Sequence, residues 1–223
     1  KLSEQNKQLK SQVEALKVQN EFIVRRVENL ENRSRRNNLI FRGLKYECAT
    51  ADYARIVRDF CVSHVGARAE TWVNRAHALG KKIDNGPIIA QFPDDQDIQF
   101  ITRNSRKLKG TRFVIHKDFA FDTRKRRSKL FRVFGELKKR VPGVRVSVEL
   151  DRLIVNGQVF TLDGENGLVS KGEDGLRKIG NMFDENVMQA VRRSMCGEET
   201  EQERGGEGEV GQEQFQILDH CHH

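Results

Sequence analysis

Leu2, Leu9, Leu16, Ile23 and Leu30 recur every seven residues, and no other feature narrows the fold of this chain so far. With these as d positions, the a positions are Asn6, Val13, Asn20, Val27 and Ser34. A helix that packs on its own globular core needs a wider apolar face than a and d alone, so the spacing predicts a parallel coiled coil over residues 1–34. Leucine at d with valine and asparagine at a favours two strands. The run Arg26-Val27-Glu28-Asn29-Leu30-Glu31 favours three. Arg26 at g and Glu31 at e flank Val27 and Leu30, so the arginine stem can cover the core while its guanidinium meets a neighbour's glutamate. The expectation is a homotrimer held by Leu2, Leu9, Val13, Leu16, Asn20, Ile23, Arg26, Val27, Leu30 and Glu31. Asn6 and Asn20 would set its register at some cost in stability. The repeat can start upstream of Lys1.

The repeat ends in a burst of positive charge, Arg33, Ser34, Arg35 and Arg36, and hands over to a strand, Leu39–Leu44, that closes on Gly43. Charge is uneven beyond this point. The net charge is +8, but residues 197–223 carry eight acids and one base, which leaves +15 on the rest. A body that basic points to a polyanion partner. No run of about 18 apolar residues is present, so no membrane span is expected. No secretory signal is visible. Cys48, Cys61, Cys196 and Cys221 form no CxxC pair, which fits a reducing compartment without a structural zinc site.

A first globular unit is expected over residues 35–116. Strands are predicted at Leu39–Leu44, Glu70–His77, Pro87–Phe92 and Arg112–Ile115, with a turn region around Lys81 and Lys82. Helices are predicted where Tyr53, Ile56, Val57, Phe60 and Cys61 share one face, and where Ile98, Ile101 and Leu108 follow Asp94, Asp95 and Asp97. The order β-α-β-β-α-β is the ferredoxin-like arrangement used by RNA-recognition motifs. Alternation puts Leu39 and Phe41 in the core, and Ile40 and Arg42 on the open sheet. Stacking aromatics are scarce in these strands, so Arg42, Arg75 and Arg112 become the candidate contacts.

A second unit is expected over residues 117–195, with a disordered Gly/Glu tail over 196–223. Residues 103–145 hold sixteen bases and three acids. Arg124, Lys125, Arg126 and Arg127 open a helix whose apolar stripe is Leu130, Val133, Phe134, Leu137 and Val141. Lys125, Lys129, Arg132 and Lys139 fall on its other face. With few acids to balance them, they read as phosphate contacts. Val144–Val148 alternates as a strand. Leu153–Val155, Asn156-Gly157 and Gln158–Leu162 spell a two-residue hairpin. Residues 164–180 are glycine-rich and read as loop, followed by a weak helix through Met182, Val187, Ala190 and Val191. His220-Cys221-His222-His223 is read as an incidental cluster, and no metal or other cofactor is expected.

The rod, the strand NLIFRGL, the run LKGTRFVIHKDFAFDTRKRRSKL and the hairpin RLIVNGQVFTLD stand in this order. Together they resemble the nucleic-acid chaperone encoded by the first open reading frame of LINE-type non-LTR retrotransposons, over roughly residues 1–195. The resemblance implies an α+β chain with an N-terminal parallel coiled coil, an RNA-recognition-motif-like domain and a small α/β C-terminal domain. It implies a homotrimer that binds single-stranded RNA and DNA, anneals strands and packages the element's RNA. A particle shared with the element's reverse transcriptase follows from it, as does residence in cytoplasmic ribonucleoprotein particles, with the nucleus as a second location. By matching position, Arg36, Asn38, Arg75 and Arg127 correspond to polar residues of the family's RNA surface. Ile40 stands where a basic residue is usual in the vertebrate form, and Val148 where an aromatic can occur. The full candidate surface is Arg35, Arg36, Asn38, Arg42, Arg75, Arg112, Lys117, Arg124, Lys125, Arg126, Arg127, Lys129, Arg132 and Arg145.

Two other classes compete. One is a coiled-coil scaffold, or a host-adopted protein, whose basic head binds another polyanion. A leucine-zipper transcription factor is disfavoured, because its basic region precedes the zipper and this one follows it. The other is an enzyme, for which the sequence offers no P-loop, metal-ligand spacing, nucleophile motif or paired catalytic carboxylates.

Overall fold

The computed structural model describes residues 2–80, 84–163 and 167–196. The acidic tail, the His220–His223 cluster and the Lys81-Lys82 turn lie outside the described residues. The chain is mixed α+β and divides into two units, Lys1–Ala120 and Phe121–His223. No helix among the described residues is long and apolar enough to cross a membrane.

Helix α1 runs from Leu2 to Arg35 without a glycine or proline. At about 1.5 Å per residue it is roughly 50 Å long. None of its residues is buried. Leu2, Leu9, Val13, Leu16, Ile23, Val27 and Leu30 are all exposed, as are Val18, Phe22 and Val24 outside the a and d positions. Asn20 and Arg26 are exposed too, and Glu31 is half-buried. The a and d stripe of α1 is thus exposed along its length.

The first unit continues with β1 (Asn38–Arg42), α2 (Tyr53–Phe60), β2 (Arg75–Ala78), β3 (Ile88–Gln91), α3 (Asp95–Asn104) and β4 (Val114–Lys117). The sheet order is β2-β3-β1-β4, all antiparallel. Leu39, Phe41, Ile88, Ala90 and Ile115 share one face and pack against Val57 and Phe60 of α2 and Ile98 and Ile101 of α3. Alternation along β1 therefore falls as predicted. Asp52 caps α2 by accepting from the Arg55 amide at 3.1 Å, and Asp94 caps α3 through the Gln96 amide at 2.7 Å. Helix α2 runs on as a wider π-turn over Cys61–Val65, stopped by Gly66 at φ 83°.

Two strands are displaced from their predicted places. The second is only Arg75–Ala78, not Glu70–His77, because its partner β3 ends at Gln91. Pro93 follows shortly and has no amide hydrogen with which to prolong the ladder. The fourth is Val114–Lys117 rather than Arg112–Ile115, because Gly43 turns β1 away at φ 83° and leaves Arg112 without a strand to pair. The division between the units follows Ala120, so Lys117 closes a strand of the first unit instead of opening the second.

The second unit is helix α4 (Phe121–Arg140), the meander β5 (Val146–Glu149), β6 (Arg152–Val155), β7 (Gln158–Asp163), β8 (Gly167–Ser170) and β9 (Glu173–Asp174), then α5 (Gly175–Met182) and α6 (Glu185–Cys196). Its core joins Leu130, Val133 and Leu137 of α4 to Val148, Leu153, Val155, Phe160 and Leu168 of the sheet and to Ile179, Val187 and Val191. Asn156 and Gly157 both take positive φ, 50° and 84°, as a two-residue turn of this twist requires. The glycine-rich stretch is not simply loop, as expected: it contributes β8, β9 and α5. Gly167 and Gly172 take positive φ at the strand ends, and Asp174 caps α5 by accepting from the Leu176 and Arg177 amides.

Candidate nucleic-acid interface

The junction between α1 and the first sheet is built from charge. Arg35 Nη1 donates to both carboxylate oxygens of Asp118 at 3.0 Å, and its Nε donates to Glu31 Oε1 at 3.0 Å. Asn38 Nδ2 donates to the same carboxylate at 3.1 Å, and the Ala120 amide donates to Asn32 Oδ1 at 2.9 Å. Asp118 is buried. Burial acts against the charged form of Arg35, but the facing carboxylates outweigh it and raise the guanidinium pKa overall. Arg35 is thus spent on architecture. Arg36 beside it is exposed, and its Nε donates to the neighbouring Asn37 Oδ1 at 3.2 Å.

Register sets what the face away from α2 and α3 displays. Asn38, Gln91 and Arg75 form one row across β1, β3 and β2. His77, Ile89, Ile40 and His116 form the next, and Arg42 with Val114 the third. Arg42 and Arg75 are exposed. Ile40 and Ile89 are buried without joining the main core. Burial, and then the nearby Arg42 charge, hold the His116 imidazole below its ordinary pKa. Lys117 pairs in register with Leu39, so it belongs to the opposite face from Asn38, Arg42 and Arg75. Arg112 lies in the loop before β4, exposed, with its guanidinium carbon 5.0 Å from the Phe113 ring centre.

Helix α4 sorts its cations in a way that their order along the chain does not reveal. Arg124, Lys125 and Lys129 are exposed, as is Lys139. Arg126 is bound to Asp151, Nη2 to Oδ2 at 3.0 Å. Arg127 is buried, donates to the Leu150 carbonyl and lies 5.3 Å from the Phe131 ring centre. Both arginines therefore clip α4 to the β5–β6 turn, which corrects their reading as displayed phosphate contacts. Arg132 is half-buried, and its Nε is buried without a hydrogen-bond partner. Arg145 is exposed.

Two exposed aromatic residues are absent from the sequence-based set, one in each unit. Phe121 is exposed at the start of α4, with Lys125 Nζ 4.9 Å and the Arg124 guanidinium carbon 5.9 Å from its ring centre. Positions three and four residues apart meet on one helix side, so a phenylalanine just before a basic run was a readable signal. Trp72 is the other, 66% exposed. Its predicted place in a strand concealed it.

In the first unit an exposed arginine shares a row with two amide side chains, a pattern suited to phosphate and base edges. The second unit by itself sets cations over an aromatic ring. No protein-family model matches the chain, and no curated protein is similar to it.

Proposed function

We propose that this chain is a single-stranded nucleic-acid-binding protein and ATP-independent chaperone of a LINE-type retrotransposon. As a homotrimer it coats the element's RNA in a ribonucleoprotein particle, cytoplasmic and also nuclear, that it shares with the element's reverse transcriptase. One observation carries the reading. The first sheet, ordered β2-β3-β1-β4 in a β-α-β-β-α-β chain, keeps its helices on one face and displays Asn38, Arg42, Arg75 and Gln91 on the other. That arrangement supports an RNA-recognition-motif-like domain whose open face takes unstacked bases. The exposed heptad stripe of α1 supports a parallel trimeric coiled coil.

Mechanism follows from weak heads on a shared rod. Contacts made by Arg42, Arg75, Arg124, Lys125 and Lys129 are electrostatic and tolerant of sequence, so each exchanges quickly. Three linked heads raise avidity by about 10²–10⁴ over one when a strand reaches more than one head. Loose neutralisation of phosphates lets complementary strands meet and lets mismatched pairs part. No nucleotide is consumed.

The test is annealing and exchange of labelled complementary oligonucleotides without ATP, comparing the full chain with its Leu16→Pro variant at equal head concentration. The expected result is efficient annealing by the full chain alone. Equal annealing by both removes the rod from the mechanism. Binding without annealing by either leaves a packaging protein. Equal affinity for an acidic polypeptide would favour a scaffold with a basic head.

A further inference from the structure

We infer that a groove beside Trp72 is a second nucleotide site, taking one base and one phosphate from a single strand that lies on the open sheet face. The inference rests on the nucleic-acid reading of that face.

The groove has a volume of about 430 Å³ and is lined by Asp52, Arg55, Arg58, Glu70, Thr71 and Trp72 among others. Trp72 presents an indole that the fold leaves 66% exposed, although its neighbours Thr71 and Val73 are buried. An aromatic held out between two anchored residues is a rigid platform for a base. Arg55 and Arg58 stand one helical turn apart on α2. Arg58 reaches Asp59 at 3.1 Å, and Arg55 has no ion-pair partner among the described residues. Two carboxylates, Asp52 and Glu70, line the groove with these two cations, so its formal charge is balanced, and Arg55 is the cation left to meet a phosphate. Asp52 is committed to capping α2. Glu70 can accept from an exocyclic amino group of a stacked base. Thr71 is 2% exposed, and its hydroxyl is buried with no hydrogen-bond partner. The groove is therefore lined by a residue with a buried, unpartnered hydroxyl and by an exposed aromatic face.

Position ties this groove to the sheet. Arg75 opens β2 on the displayed face, and Asn74 anchors the edge by pairing its backbone amide and its side chain with Gln91, both at 2.9 Å. From Trp72 to Arg75 the backbone can span at most about 10 Å. A strand leaving the sheet at Arg75 passes over the edge strand and meets the groove at once.

Trp72 is the chain's sole tryptophan, so intrinsic fluorescence reads this site directly. The full chain is titrated with a single-stranded oligocytidylate, whose bases carry an exocyclic amino group, while filter retention of a trace of end-labelled strand measures the bound fraction. Emission should fall and saturate in step with binding. Trp72→Ala should weaken binding about tenfold and Trp72→Phe by less. Arg55→Ala combined with Arg58→Ala should flatten the salt dependence. Full binding with unchanged emission, together with wild-type affinity of Trp72→Ala, overturns the groove and leaves the sheet face standing. No retention of any single strand overturns the sheet-face reading and this site with it.

Discussion

Arg35 and Asp118 are 83 residues apart in sequence, yet one guanidinium nitrogen lies 3.0 Å from both oxygens of that carboxylate. Asp118 follows β4 directly and Arg35 ends α1, so this pair fastens the rod's last turn to the sheet. Glu31, read from the sequence as a trimer contact of Arg26, is bound by Arg35 of its own chain at 2.8 Å.

The pair predicts an asymmetry between its two deletions. Arg35→Ala strands a buried carboxylate with one amide for company. The cost should be about 2–3 kcal/mol, below that of a fully buried pair because Arg35 is 38% exposed. Asp118→Ala should cost less, since Arg35 keeps Glu31 and water. Urea unfolding of both variants measures this. The salt dependence of RNA binding should stay as it is in Arg35→Ala, and a flatter slope would return Arg35 to the interface.

Charge removal on α4 should separate binding from stability. Arg124→Ala, Lys125→Ala and Lys129→Ala should each lower the salt slope of single-strand binding by about 0.7 and leave the urea midpoint in place. Arg127→Ala should leave the Leu150 carbonyl without its donor and cost about 3 kcal/mol. The same slope change from Arg126→Ala as from Lys125→Ala would show that Asp151 does not hold it.

His116 makes the first unit sensitive to mild acid. Its pKa in the fold lies below the ordinary 6.5, through burial and then Arg42. The neutral ring is the folded form, so its contribution is fully present above about pH 6.5. It is lost as pH falls below that value, where the unfolded chain binds the proton first. The wild type should lose urea resistance between about pH 7 and pH 5 faster than His116→Gln. Parallel curves for the two proteins would place the acid sensitivity elsewhere.

Assembly should depend on the exposed stripe of α1. Sedimentation of the full chain should give three times the 25.7 kDa protomer mass. Leu16→Pro costs a helix about 3 kcal/mol or more and should give monomers. A stable dimer would retain the coiled coil and exclude the trimer.

The sequence by itself determined whatever depends on near neighbours. The heptads of α1, the alternation of Leu39 and Phe41 into the core, the Asn156-Gly157 turn and the apolar stripe of α4 all follow from spacing within a few residues. Only the tertiary structure decided which cations remain for a ligand. Arg124 and Arg126 look alike in the sequence, but Asp151 comes within reach of Arg126 only when the β5–β6 turn folds against α4. Strand ends were hidden for the same reason: β2 and β4 begin where β3 and β1 can still pair with them. Gly175 shows how composition misleads, since the residue that suggested a loop begins α5 so close to the Leu168 carbonyl that a side chain there would collide with it. Trp72 is exposed because Thr71 and Val73 turn inward around it, a consequence of packing that no local pattern encodes.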